Sequence, residues 1–348
     1  MKKLLLVGLV CFALIAAACE GDLADQLQRL QALLQSKDFA LEMASYLDAA
    51  YYRGQGQTPP PFIRPDEETA TAPKSVMEEK IAINLAGFYA VESGMGVIAE
   101  RTKESPVEIL DSIARGTRSR EDTLLLARFA NATWKAGQPF RSLTRITRDN
   151  FRPAVLLSDD DVKKDFAQIR AAAWMLTQSL QEARGQSSVE QLKRLQALMQ
   201  NRDFALEMAI FLDAVYYRAQ GQTPPPFLKP EDETAMVPKS VKEEKIAINL
   251  AGFYAVECGV TAIAERTGER PMAILEAVSN GTRSKEDMLL LARFANVTWK
   301  AGQPFRSLSR ITRANFIPAA LLSEDELKKD FDQIRAAAEK LLEAMRRK

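Results

Sequence analysis

Residues 79–92 read EKIAINLAGFYAVE, and residues 244–257 repeat those letters without a change. Between its charged ends the stretch is apolar on nearly every side. Ala82, Ala86 and Ala90 fall four apart on one face of it. A half-buried strand alternates with period two, and this stretch does not; it reads as a helix buried on more than one face. The alanine stripe allows a neighbouring helix to approach closely. The class that follows is all-α, each half of the chain having about five to six helices around this buried central helix.

The repeat extends well beyond the stretch. Residues 27–176 align with 192–341 at a constant offset of 165 and without a gap. GQTPPPF begins at Gly56 and again at Gly221, TWKAGQPFRSL at Thr133 and Thr298, and RITR at Arg145 and Arg310. A unit this long exceeds any solenoid repeat, so the pattern reads as tandem duplication of a whole domain. The chain divides into a signal peptide at 1–18, a first helical copy at 19–184 and a second at 185–348. Two such copies are expected to pack about a pseudo-two-fold axis, like a homodimer fused into one chain.

Start and stop signals place the other helices. Ser75 with Glu78 and Ser105 with Glu108 are capping boxes, and Pro106 stands at a first helical position. Gly116 ends that short helix. Ser119 opens another, which Gly137 is read to close. The span 138–157 reads as irregular, and 158–161 cap a last helix at 162–182. Ser187 with Glu190 starts the second copy. Prolines at 59–61, 65 and 73 rule out a helix between residues 54 and 74.

The chain has 348 residues, of which 47 are Lys or Arg and 46 Asp or Glu. That balance leaves no basic field to draw it to nucleic acid. It contains no histidine, which excludes His-dependent triads, His zinc sites and His-carboxylate di-iron bundles. No phosphate-binding glycine loop, CxxC pair or calcium loop is present, so no cofactor or metal is expected. Cys258 has no partner cysteine within the copies and reads as a small buried residue.

The N-terminus, MKKLLLVGLVCFALIAAAC, has two lysines, an apolar run and then small residues, the layout of a secretory signal peptide. The junction Ala16-Ala17-Ala18-Cys19 resembles the lipobox of bacterial lipoproteins. The resemblance covers the leader alone. It implies lipidation of Cys19 with palmitate and a membrane-anchored place in the cell envelope. Glu20 follows where Asp is absent, and similarity to enterobacterial lipoproteins then implies the outer membrane, facing the periplasm. Ala16 stands where the motif has Leu or another large aliphatic. That departure leaves open ordinary cleavage after Ala18 and a soluble secreted or periplasmic protein.

Three groups of residues are candidates for function. Asn84 and Asn249 are amides amid apolar neighbours, read as structural hydrogen bonds ahead of ligand contacts. Glu92 and Glu257 end the apolar stretch. A carboxyl there, with a raised pKa, would serve a carboxylate-dependent hydrolase of envelope material, and pairing with Arg101 or Arg266 is the blander reading. The third group lies on a run without acids. Arg128, Asn131, Trp134, Lys135, Arg141, Arg145 and Arg148 recur as Arg293, Asn296, Trp299, Lys300, Arg306, Arg310 and Arg313. Basic groups interleaved with aromatics suit an anionic ligand such as an envelope glycan, a lipid headgroup or a partner protein. The competing reading is internal pairing with the acidic residues at 159–161, 324–326, 66–68 and 231–233. The preferred function is a non-catalytic binding or scaffolding lipoprotein.

Overall fold

A computed structural model describes residues 76–163, 165–219, 221–224 and 241–346, with scattered positions between 28 and 59. The signal peptide, Cys19, the Ser75 cap, Phe62, Phe227 and the acidic residues at 66–68 and 231–233 lie outside the described residues. What is described is helical, with no strand among it.

In the first half α1 spans Val76–Thr102, α2 Pro106–Arg115, α3 Arg120–Arg141 and α4 Phe166–Ser179. In the second half α5 spans Ser188–Met199, α6 Arg202–Ala219, α7 Val241–Thr267, α8 Pro271–Ser279, α9 Lys285–Arg306 and α10 Phe331–Arg346. Local chemistry sets the ends. Ser105 and Glu108 form a reciprocal capping box on α2, and Gly116 closes that helix in the left-handed conformation at φ 68°. Ser119 and Ser187 accept the backbone N–H groups of Asp122 and Glu190 at the starts of α3 and α5.

The helices α1, α3, α7 and α9 form the centre. Both α1 and α7 pack against α3 and α9, and the latter two meet between them. Phe129 of α3 stacks on Phe294 of α9 with ring centroids 4.1 Å apart. Nearer one end Phe140 stacks on Phe305 at 5.8 Å, beside Ala82 and Ala247. Windows in α1 and α7 are long and apolar enough to cross a membrane by length and composition, yet most of each is buried against other helices.

One continuous hydrophobic cluster runs through both halves. The boundary at 184 and 185 therefore separates two stretches of similar sequence and not two cores. The outer helices interlock as well. The second half's α6 packs on α1 and α4 of the first, with Phe204 edge-on to Phe88. Phe39 of the first half lies edge-on to Phe253 of the second.

Gly137 does not end its helix. The helix α3 continues through Pro139 to Arg141, and α9 likewise through Pro304 to Arg306. The glycine is there for close approach, since a Cβ on Gly137 would stand 2.8 Å from Cε2 of Phe305. The span read as irregular holds two 3-10 turns, Leu143–Thr147 and Ala154–Leu156. The last helix of the first half is interrupted: a short helix, Asp159–Lys163, precedes α4.

Candidate functional site

The polar chemistry of the interior lies where the halves meet. Glu92, on α1, is fully buried. Its Oε1 accepts the backbone N–H of Ala319 at 2.5 Å, and its Oε2 accepts from Lys300 Nζ at 2.7 Å and from Ser93 Oγ at 3.0 Å. Glu257, on α7, repeats the arrangement. It accepts from Ala154 N at 2.5 Å, Lys135 Nζ at 2.5 Å and Cys258 Sγ at 3.2 Å. Lys135 and Lys300 have no exposed side-chain surface. Burial lowers the pKa of Lys300, and the Glu92 carboxylate opposes that shift. Removing two charges from water is costly, and such a pair persists only where the remaining lone pairs are also satisfied. The Ala154 and Ala319 amides, held in 3-10 turns, do that here.

A second pair of ion pairs flanks the first. Arg128 donates to Glu265 and, through Nη1, to the carbonyl of Ala154 at 2.7 Å. Arg293 donates to Glu100 at 2.7 Å and to the carbonyl of Ala319 at 2.5 Å. All four pairs join a cation of one half to a glutamate of the other. Burial raises the Cys258 thiol well above its ordinary range, with Glu257 adding to the effect, so the thiol stays protonated and unreactive. Burial does the same to the phenols of Tyr89 and Tyr254. Asn84 and Asn249 are buried and have partners.

The basic candidates thus divide. Arg128, Lys135, Arg293 and Lys300 are buried, each with its charge already paired to a glutamate. Arg141 and Arg306 pair with Glu79 at 2.8 Å and Glu244 at 2.6 Å. The acids they meet belong to α1 and α7; they are not the caps at 159–161 and 324–326. Glu92 pairs with Lys300 and not with Arg101, which instead binds Glu121 and Asp122. Asn131 accepts from Cys258 at 3.5 Å, while the buried Oδ1 of Asn296 has no hydrogen-bond partner among the described residues. Trp134 and Trp299 pack on Phe151 and Phe316 and are half-buried. Arg145, Arg148, Arg310 and Arg313 make no ion pair among the described residues. Burial lowers the pKa of Arg145 and of Arg310, and the guanidinium groups on either side add to this. These four are the only members of the basic run left to meet an anion among the described residues.

A concave feature lies at the opposite end of the central helices. A partly open cavity of about 500 Å³ is lined by α1, α3, α7 and α9. Its floor is Val97, Leu124, Leu125, Ala262, Leu289 and Leu290, matching positions of the two halves. Its rim is charged but internally neutralised, with Arg266 on Glu286 at 2.7 Å and Arg293 on Glu100. The leucines carry a signal in the sequence. Three in a row at 124–126 sweep about 200° of helix surface, wider than one buried face. Among the described residues no cluster of His, Cys, Asp or Glu is placed to hold a metal ion.

No family model, no curated protein and no solved structure matches the chain. Its helical fold and the geometry at the junction of the halves are the grounds for any reading of function.

Proposed function

We propose that this is a non-catalytic binding protein of the bacterial envelope, anchored through a lipid on Cys19, whose halves arose by duplication and fold together as a pseudo-dimer around α1 and α7. Its ligand site is the cavity between Leu124, Leu125, Leu289 and Leu290. The observation that carries this reading is the composition of that cavity, an apolar floor under a rim whose charges already have partners. Such a site gains by covering apolar surface, and it presents few unmet polar groups to specify a polar ligand. An acyl chain or another apolar small molecule fits that chemistry. The hydrolase alternative loses support because Glu92 and Glu257 are buried and each carboxylate already accepts three hydrogen bonds.

Titration with the neutral apolar fluorophore N-phenyl-1-naphthylamine tests the cavity. Saturable binding to the purified chain, lost when Leu125→Trp and Leu290→Trp fill the floor while the helical circular dichroism is kept, is expected. Binding that survives both substitutions would contradict the assignment. The anchor has its own test, since Cys19→Ala must abolish palmitate labelling.

The arginines favour a second, smaller reading. Arg145 with Arg148, and Arg310 with Arg313, present like charges side by side in the described structure. An anionic headgroup or glycan at those positions would relieve their repulsion.

A further inference from the structure

The two halves differ most tellingly on one outer face. Between α4 and α6 lies an open groove of about 470 Å³. Trp174 is 50% exposed there and Ile210 43%, and the Trp174 ring lies 5.5 Å from that of Phe211. At the offset of 165 the counterparts of Trp174, Met175, Ile210 and Phe211 are Glu339, Lys340, Ser45 and Tyr46. On that opposite face Tyr46 donates to Glu339 at 2.9 Å and Lys340 binds Glu42 at 2.5 Å. One face is thus apolar and aromatic, and its equivalent is covered by ion pairs and a hydrogen bond.

The apolar face is also self-complementary in charge. Glu207, Ile210, Phe211, Ala214 and Arg218 recur at three to four residues along α6 and share a side of it. Glu207 and Arg218, at the ends of this row, are exposed, and neither makes an ion pair among the described residues. They stand about 16 Å apart along the helix axis. Laid antiparallel on a second copy of itself about a two-fold axis near Ala214, the row sets Glu207 of each chain against Arg218 of the other. The small Ala214 lets the helices approach at the crossing.

We propose that this face, Trp174 with the row from Glu207 to Arg218, is an isologous dimer interface between two copies of the chain. Confining the apolar surface to one of the two equivalent faces closes the assembly at two chains. A chain apolar on both would offer a second docking surface and extend into a filament. The inference is independent of the cavity proposed as the ligand site.

Sedimentation velocity of the purified full chain tests it. The wild type is expected to show a concentration-dependent monomer–dimer equilibrium. Trp174→Glu and Ile210→Ser install residues that the other half carries at the equivalent positions, and each should weaken the dimer by about tenfold or more. Glu207→Arg alone should weaken it, and Glu207→Arg with Arg218→Glu should restore it, because the two-fold pairing is then rebuilt with reversed signs. A wild type that stays monomeric overturns the proposal, whether or not the face then takes up phospholipid vesicles. So does a dimer indifferent to Trp174→Glu and Ile210→Ser, or one that the double charge reversal fails to restore.

Discussion

Lys300 Nζ lies 2.7 Å from Glu92 Oε2, although the two are 208 positions apart in the chain, and neither side chain is exposed. Lys135 and Glu257 repeat the contact at 2.5 Å from the other side. Each half supplies the cation that neutralises the buried carboxylate of the other. Breaking one member therefore strands a charge. Lys300→Met should cost about 3–5 kcal/mol of unfolding free energy by chemical denaturation. Adding Glu92→Gln should recover most of it, because the amide still accepts from Ala319 N and no charge remains. A double variant as unstable as Lys300→Met alone would assign the cost to the loss of packing.

Arg128 binds a carboxylate and a carbonyl at once, reaching Glu265 through Nε and Nη2 and Ala154 O through Nη1. The planar fork of arginine makes this possible, and a lysine has a single nitrogen to offer. Arg128→Lys should lower stability by roughly 1–3 kcal/mol although it keeps the charge. Amide exchange in the 3-10 turn Ala154–Leu156 should speed up in parallel.

Three helical glycines make a controlled comparison. A Cβ on Gly137 or Gly302 would fall 2.8 or 2.7 Å from a ring carbon of Phe305 or Phe140, and those rings are stacked on each other. A Cβ on Gly252 would meet nothing within 4 Å among the described residues. Replacing glycine by alanine in a helix gains about 0.5–1 kcal/mol from backbone entropy, while overpacking costs about 1–3 kcal/mol. Gly252→Ala should raise the melting temperature, and Gly137→Ala and Gly302→Ala should lower it.

Burial raises the Asp330 carboxyl to about 6, against a smaller opposing effect of Lys329. The folded protein thus holds this proton to a higher pH than the unfolded chain does. The group's contribution to stability is complete below about pH 4 and is lost as pH rises through 6. At pH 7 the charged form costs on the order of 3 kcal/mol. Asp330→Asn should therefore stabilise the protein at pH 7 and flatten the pH dependence of its unfolding between 4 and 6. An unchanged slope would remove Asp330 as its source.

The elements legible in the sequence are those that local chemistry decides. Ser105 with Glu108, Gly116, Ser119 and Ser187 act within a few residues of themselves, and the all-helical class follows from the same short-range periodicities. Gly137 misleads because a glycine inside a helix carries the same letter as a glycine that ends one. Its reason is a phenylalanine 168 residues away, Phe305. The basic run misleads likewise. Arg128 and Lys135 sit in a stretch without acids because their acids, Glu265 and Glu257, are on the other half's central helix. The cavity is assembled from four helices, so no single stretch announces it beyond the extra leucine at 124–126.

The halves share one hydrophobic core, and Trp134 and Trp299 report on one half each. Two variants, each keeping one of these tryptophans and replacing the others by phenylalanine, should be unfolded in guanidinium chloride and followed by fluorescence. Coincident midpoints and equal slopes are expected, with an equal shift of both traces when Lys135→Met is added. Two separate midpoints, or a Lys135→Met variant that moves the Trp134 trace and leaves the Trp299 trace in place, would contradict it.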